Sequence, residues 1–393
     1  MVPIPLNFKK VDPEVKKYIS ARKVKTIPVI ITFKRPPDAH IESRLKQKGL
    51  RIKYHIPFLN AVTGKININN FDSVSSFVEI AKIYFDGTAI LMGDIDGNDN
   101  INESPGAASV HLSGKGITAA FIDSGVYPHP ELTNPRNRIK GFKDYINEIN
   151  EPYDDNGHGT ACIGAAGASA DCNIVCAKAF NSLGYGAYSD ILAAMQWICS
   201  IREKHNIRVI VLPFGCCCTK RHFDILSLAS EALWNSGLFV CTCTGNLGSH
   251  EGSITSPGVC GSAFTTGALT TSDPSPKVAP FSGCGPVEGK FDKPDAVMPG
   301  YNIRTLNADT DYIPGSRASY QAKLPGQQYT KISGTSVSAS LAAAAAVLLY
   351  QKKPELSPED IRSMLKRFCT SINELKTAQG AGMIDMKKIE EFK

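Results

Sequence analysis

At 393 residues the chain is long enough for one large domain and a smaller one, and its 42% hydrophobic and 20% charged residues suit a globular protein with a sizeable core rather than a disordered one. The formal net charge of +6 is spread along the sequence, and the short basic clusters near Lys9, Lys16 and Arg22 are neither long nor interleaved with aromatics, which argues against nucleic acid as a partner. The longest apolar run, Leu341 to Tyr350, is about half of what a bilayer crossing needs and is dominated by alanine, so it reads as a buried helix and argues against a membrane partner.

The N-terminal stretch repeats lysine and lacks the continuous apolar centre of a signal peptide. Together with twelve cysteines, this places the chain in a reducing compartment, the cytoplasm, with its thiols free. Between Thr26 and Phe85 the pattern predicts strand, polar helix, strand, a second extended stretch, a helix over Asp72–Ala81 and a short strand. That βαββαβ order is the split unit of ferredoxin-like domains. From Gly93 to Gly116 the composition turns to Gly, Asn, Asp and Ser, as in a linker or exposed loop. Beyond it, short apolar strands such as ITAAFI, IRVIVLPF and LFVCTC alternate with helical stretches over Ser189–Glu203 and Phe223–Ser236. Such alternation predicts an α/β domain with a parallel sheet flanked by helices. Near the end, Ser357 is placed to cap a surface helix running to Arg367, with Glu359 and Asp360 in its first turn.

Three segments place a reactive side chain at a strand end or a helix start. Asp123 ends the apolar stretch Ala119–Ile122 and is followed by a turn. His158 sits in Asn156-Gly157-His158-Gly159-Thr160, ahead of a small-residue helix predicted over Ala161–Ala168. Ser336 lies in Ser333-Gly334-Thr335-Ser336 and opens the Ala-rich helix. Each alone has an ordinary explanation: a turn-forming Asp, a structural or metal-binding His, a capping Ser. Jointly they supply what a serine nucleophile needs, a neutral imidazole to take its proton and a carboxylate to hold the imidazole's tautomer.

These segments resemble the Asp, His and Ser signatures of the subtilase (subtilisin-like, S8-type) family, in that family's chain order. The resemblance spans Gly116 to Ile384 and continues through Cys243-Thr244-Gly245-Asn246, Val278-Ala279-Pro280-Phe281-Ser282 and Lys293-Pro294-Asp295. The runs Tyr127-Pro128-His129-Pro130-Glu131-Leu132 and Glu151–Thr160 point to the AprX-type intracellular branch. The resemblance implies a subtilisin-like fold and a serine endopeptidase acting on protein or peptide substrates, with Asp123, His158 and Ser336 as the triad. It implies Asn246 as oxyanion donor, and a substrate strand held between Leu183, Gly184 and Gly186 on one side and Pro213, Phe214 and Gly215 on the other. No cofactor is required for the chemistry; structural calcium is common in the family, with no ligands assignable here.

Six positions depart from the family pattern. Pro213-Phe214 stands where Ser-Leu is usual, which removes a backbone donor and puts a bulkier ring beside the primary pocket. Ala161, Val337, Ser340 and Cys284 replace the usual His, Met, Pro and Arg, and none of these changes removes a proton-transfer group. Cys162, four residues after His158, is predicted to lie one helical turn along, beneath the imidazole. The clusters Cys172-x3-Cys176, Cys216-Cys217-Cys218 and Cys241-x-Cys243 lack the spacing of common zinc sites and read as buried thiols.

The βαββαβ region resembles the inhibitory propeptide of many subtilases. The organisation expected is therefore a propeptide domain over 1–92 that acts as an intramolecular inhibitor, a linker with a processing site over 93–115, and a catalytic domain over 116–393. The cut is expected between Leu91 and Gly114. Three alternatives remain open from the sequence: a ferredoxin-like module that stays attached, an inactive subtilase that binds peptides, and another serine enzyme such as an esterase or an acyl-transferring macrocyclase.

Overall fold

A computed structural model describes residues 10–21, 24–96, 113–167, 171–216, 224–270, 275–287, 292–315 and 327–392. By internal contacts the chain divides into two compact units, one of residues 1–88 with 187–197, the other of residues 89–186 with 198–393.

In the first unit, an antiparallel four-stranded sheet has the spatial order Leu50–Ile56, Ala61–Asn67, Thr26–Phe33, Ile80–Phe85. That is the ferredoxin-like order expected from the βαββαβ pattern. Val29, Ile31, Val62, Ile66 and Ile83 alternate onto one face and bury Leu45 of the helix Ala39–Gln47 with Phe71 and Val74. The helix expected over Asp72–Ala81 is shorter, Phe71–Ser75. Consecutive serines have poor helix propensity, and Val78, turned out to solvent at 70% exposure, contributes no buried face to prolong it.

In the second unit, strands among the described residues run in the order Cys369–Thr370, Met383–Ile384, Ala296–Pro299, Phe264–Thr270, Phe239–Cys243, Ile207–Leu212, Thr118–Asp123, Asn173–Lys178, Ile139–Asp144. Pairings from Met383–Ile384 through Ile139–Asp144 are parallel, and the edge strand Cys369–Thr370 is antiparallel. The central strands are buried at every position but Arg208, which is why they read as near-continuous apolar runs. Strand Thr118–Asp123 lies between Ile207–Leu212 and Asn173–Lys178, so the chain leaves it in both directions across the sheet. A switch point of this kind opens a crevice at the carboxyl ends of the strands, and Asp123 ends the strand there.

Helix Thr335–Lys352 packs on the strands Ile207–Leu212, Phe239–Cys243 and Phe264–Thr270 and on helix His158–Gly167. Its residues Ala342–Tyr350 are all buried, and the short alanine side chains permit that close approach on every side. No helix among the described residues is long and apolar enough to cross a membrane. Helix Pro358–Arg367 begins with the Ser357 cap, whose hydroxyl accepts from the Asp360 amide while the Asp360 carboxylate accepts from Ser357 in return. Part of the expected linker is ordered structure: Asp94–Asp96 forms a strand antiparallel to Tyr329–Ser333. Residues 97–112 of that stretch, and Cys217 and Cys218, lie outside the described residues.

Candidate active site

Asp123, His158 and Ser336 come from a strand end and two helix starts and meet in the crevice, each at most 1% exposed. His158 donates from Nδ1 to Asp123 Oδ1 at 2.8 Å, and its Nε2 lies 3.1 Å from Ser336 Oγ. Asp123 Oδ1 also accepts the Ser124 amide at 2.7 Å, while Oδ2 is buried without a hydrogen-bond partner among the described residues. The helix expected to begin at Ala161 begins at His158 itself. Asn156 Oδ1 accepts the His158 amide at 3.2 Å and so caps that first turn. The close approach of this helix to the Asp123 turn requires glycine: a Cβ on Gly159 would lie 2.2 Å from the Gly125 carbonyl oxygen.

The two loops are tied together by Asp154, whose role no local sequence pattern announces. Its buried carboxylate accepts from Ser124 Oγ at 2.8 Å, the Gly157 amide at 2.9 Å, the Thr160 amide at 2.8 Å and Thr160 Oγ1 at 2.7 Å. Several donors converging on one buried carboxylate hold the Asp123 and His158 segments in a single geometry. Lys178 reinforces the same region from below, fully buried, donating to the Ser124 carbonyl at 2.6 Å, Asp155 Oδ1 at 2.5 Å and the Phe180 carbonyl at 2.9 Å. The available sequence signal was the acidic pair Asp154-Asp155 just ahead of His158, but burial, which gives the pair its meaning, is a tertiary property.

Burial pulls the His158 imidazole toward its neutral form, but the Asp123 carboxylate opposes this and prevails, holding the group well above 6.5. Cys162 lies beneath the ring as expected, its Sγ 3.7 Å from Nδ1 and 3.8 Å from Nε2. Burial pushes this thiol up, so it stays protonated and acts as a neutral neighbour.

Asn246 follows the strand Phe239–Cys243, and its side-chain oxygen accepts from the Thr335 amide at 3.1 Å and Thr335 Oγ1 at 2.8 Å. With the oxygen taken by two donors, the Nδ2 group remains available to donate. The Ser336 amide reaches the carbonyl oxygen of Met92 at 3.3 Å.

The segments expected to hold a substrate strand flank one from the chain itself. Strand Thr88–Leu91 runs between Tyr185–Ala187 and Phe214–Gly215. Leu91 donates its amide to the Gly184 carbonyl at 3.1 Å and pairs antiparallel with Phe214, as Ile90 does with Gly215. Gly186 packs against Phe180, Pro213 has no amide to offer, and the Leu183 side chain faces solvent at 76% exposure. The Phe214 ring is fully buried and lies on Phe180 with centroids 5.1 Å apart, whereas the Met92 side chain clusters with Cys243 and Ala339.

The departures from the family pattern fit one another. Ala161 and Val337 pack together with Ala165 and Ile332, the Ser340 hydroxyl donates to the Ser336 carbonyl at 3.0 Å, and Cys284 Sγ lies 3.0 Å from the Thr377 carbonyl oxygen. Among the described residues, the one group of three His, Cys or acidic side chains close enough to share an ion is Asp123, His158 and Cys162. Calcium takes about six to eight oxygen ligands, so one carboxylate with an imidazole and a thiol does not fit it. The described cysteines are free thiols.

The α/β fold with its parallel sheet thus brings Asp123, His158 and Ser336 together at the switch point, in the arrangement a serine nucleophile needs. The family profile described as Subtilase family matches residues 114–382. Serine protease AprX of Bacillus subtilis (strain 168) is 32% identical over 344 residues, 82% of this chain and 76% of that protein. Subtilisin Savinase of Lederbergia lenta is 27% identical over 293 residues, 72% of this chain and 94% of that protein. The crystal structure of fervidolysin from Fervidobacterium pennivorans, a keratinolytic enzyme related to subtilisin, superposes with a TM-score of 0.71 at 16% identity, covering 94% of this chain and 61% of fervidolysin. The chain belongs to the subtilase family of serine endopeptidases.

Proposed function

We propose that the chain hydrolyses peptide bonds through an acyl-enzyme on Ser336, as a self-processing zymogen. The observation that carries this reading is the unbroken relay Asp123–His158–Ser336, with its two contacts of 2.8 and 3.1 Å. His158 takes the Ser336 Oγ proton as the oxygen attacks the scissile carbonyl carbon, and passes that proton to the leaving amine nitrogen as the C–N bond breaks. Water then gives its proton to His158 and its hydroxyl to the acyl carbon, and Ser336 recovers its proton on release. Asp123 fixes the Nδ1–H tautomer and stabilises the imidazolium. Asn246 Nδ2 and the Ser336 amide meet the developing oxyanion, aided by the positive end of the helix Thr335–Lys352. No cofactor enters any step.

Protein or peptide substrates would bind as an added strand between Leu183–Gly186 and Pro213–Gly215, as residues 89–91 do. The occupation of that cleft by the chain itself supports residues 1–92 as an intramolecular inhibitor, and the free buried thiols support a cytoplasmic setting. A fluorophosphonate serine-hydrolase probe tests the reading: it labels processed wild type and neither Ser336→Ala nor His158→Ala. A processed wild-type chain that takes no label would instead favour a peptide-binding subtilase without activity.

A further inference from the structure

We propose that Met92–Gly93 is the bond this chain cuts in itself, and that the site selects an unbranched apolar residue before the cut and glycine after it. The inference deepens the endopeptidase reading above and rests on it.

Strand pairing on either side brackets this one peptide bond. Upstream, Ile90 and Leu91 pair with Gly215 and Phe214, and the Leu91 amide is held by the Gly184 carbonyl. Downstream, Asp94, Ile95 and Asp96 pair antiparallel with Ser333, Ile332 and Lys331. Between them, the Met92 carbonyl oxygen accepts from the Ser336 amide at 3.3 Å, where a scissile carbonyl must sit to be both polarised and attacked. The backbone is pressed so close there that a Cβ on Gly334 would lie 2.2 Å from the Met92 oxygen and 2.6 Å from Gly93 Cα.

The side-chain requirements follow from the same contacts. Met92 is 5% exposed, packed with Cys243 and Ala339, and its terminal methyl would lie 2.4 Å from a Cβ on Gly215. A long flexible thioether threads this apolar slot; a charged side chain would be buried without a partner and a β-branched one would widen too early. At the next position, a Cβ on Gly93 would lie 2.8 Å from Ser336 Oγ and 3.1 Å from His158 Nε2. Those two atoms are held to each other by the relay, so neither can yield without breaking the hydrogen bond on which the proton transfer depends. Glycine after the cut is therefore compatible with an assembled nucleophile, and any side chain there displaces the bond, the serine or the imidazole. The substrate class is an extended apolar stretch of the Ala-Ile-Leu-Met kind followed by glycine.

The test uses the full chain and then its processed form. Intact mass and N-terminal sequencing over a time course are expected to show a first product beginning at Gly93 in wild type, none in Ser336→Ala, and no cut at this bond in Gly93→Val. Because Gly93→Val could disturb folding, the processed wild-type enzyme is also given the peptides Ala-Ile-Leu-Met-Gly-Asp-Ile-Asp and Ala-Ile-Leu-Met-Val-Asp-Ile-Asp. Cleavage after Met is expected to be at least tenfold slower in kcat/KM for the valine peptide. A first product that begins elsewhere, or equal cleavage of the two peptides by an enzyme whose Ser336 takes the fluorophosphonate label, overturns this inference and leaves the endopeptidase reading intact. Absence of the label overturns both.

Discussion

The sulfur of Cys162 lies within 3.8 Å of both ring nitrogens of His158. Any soft metal that binds this thiol must enter the space of the imidazole proposed to receive the serine proton. Organomercurials are expected to inhibit wild type by more than tenfold, and Cys162→Ala is expected to keep most activity while losing the sensitivity. Burial keeps the thiol protonated, so alkylating reagents that need thiolate should react slowly at neutral pH. Full activity in a sample whose Cys162 is shown by mass spectrometry to carry mercury would sink the idea.

Asn246 is aimed by Thr335, which supplies both donors to its side-chain oxygen. If Asn246 is the proposed oxyanion donor, replacing it by Leu is expected to lower kcat by about 10²–10³, the magnitude typical of removing one oxyanion-hole donor, with KM little changed. Thr335→Val removes only the hydroxyl and should lower kcat several-fold by loosening the amide. A change confined to KM in either variant would place Asn246 outside the transition state.

The His158 imidazole is held above 6.5, since the Asp123 carboxylate outweighs the burial that would neutralise it. Only its neutral form can take the Ser336 proton, so activity should be lost as pH falls through that raised value and should rise into the alkaline range. For stability the sign is opposite: the gain from the charged pair is complete below the unfolded-state value and disappears as pH rises through the folded one. A kcat profile with its acid limb centred below 6.5 would contradict the assignment.

Asp295 accepts from Lys293 at 2.6 Å and from two nitrogens of Arg362 at 2.9 and 2.7 Å, and is fully buried. Burial alone would raise its pKa, but the two cations prevail and hold it below 3.8. Its contribution is therefore present above the unfolded-state value and is lost as pH falls through the lower folded one. Asp295→Asn strands the Lys293 charge in the core and is expected to cost about 3–5 kcal/mol in denaturant unfolding. A loss below about 1 kcal/mol would mean that water reaches the pair.

Much of this was legible in the sequence. Asp123, His158 and Ser336 each sit where a short apolar strand stops or a helix starts, and those local signals survive without any tertiary information. The ferredoxin-like order was likewise carried by alternation within Thr26–Phe85. Asp154 was not legible, because the donors on its carboxylate come together only when two loops fold over it. Residues 94–96 look like linker in the sequence since a strand of three residues leaves no periodicity, and its partner Tyr329–Ser333 lies far along the chain. The helix Phe71–Ser75 is shorter than its apolar spacing suggests because that spacing continues past the point where solvent exposure ends the benefit of helix.

The groups at positions 123, 158, 246 and 336 reach one another only across a sheet whose neighbouring strands are distant in sequence. Such a site has no partial version: until strands Thr118–Asp123, Ile207–Leu212 and Phe239–Cys243 lie side by side, there is no donor, base or nucleophile in common register. On the proposed endopeptidase reading, a newly made copy therefore cannot cut other chains until its sheet is complete.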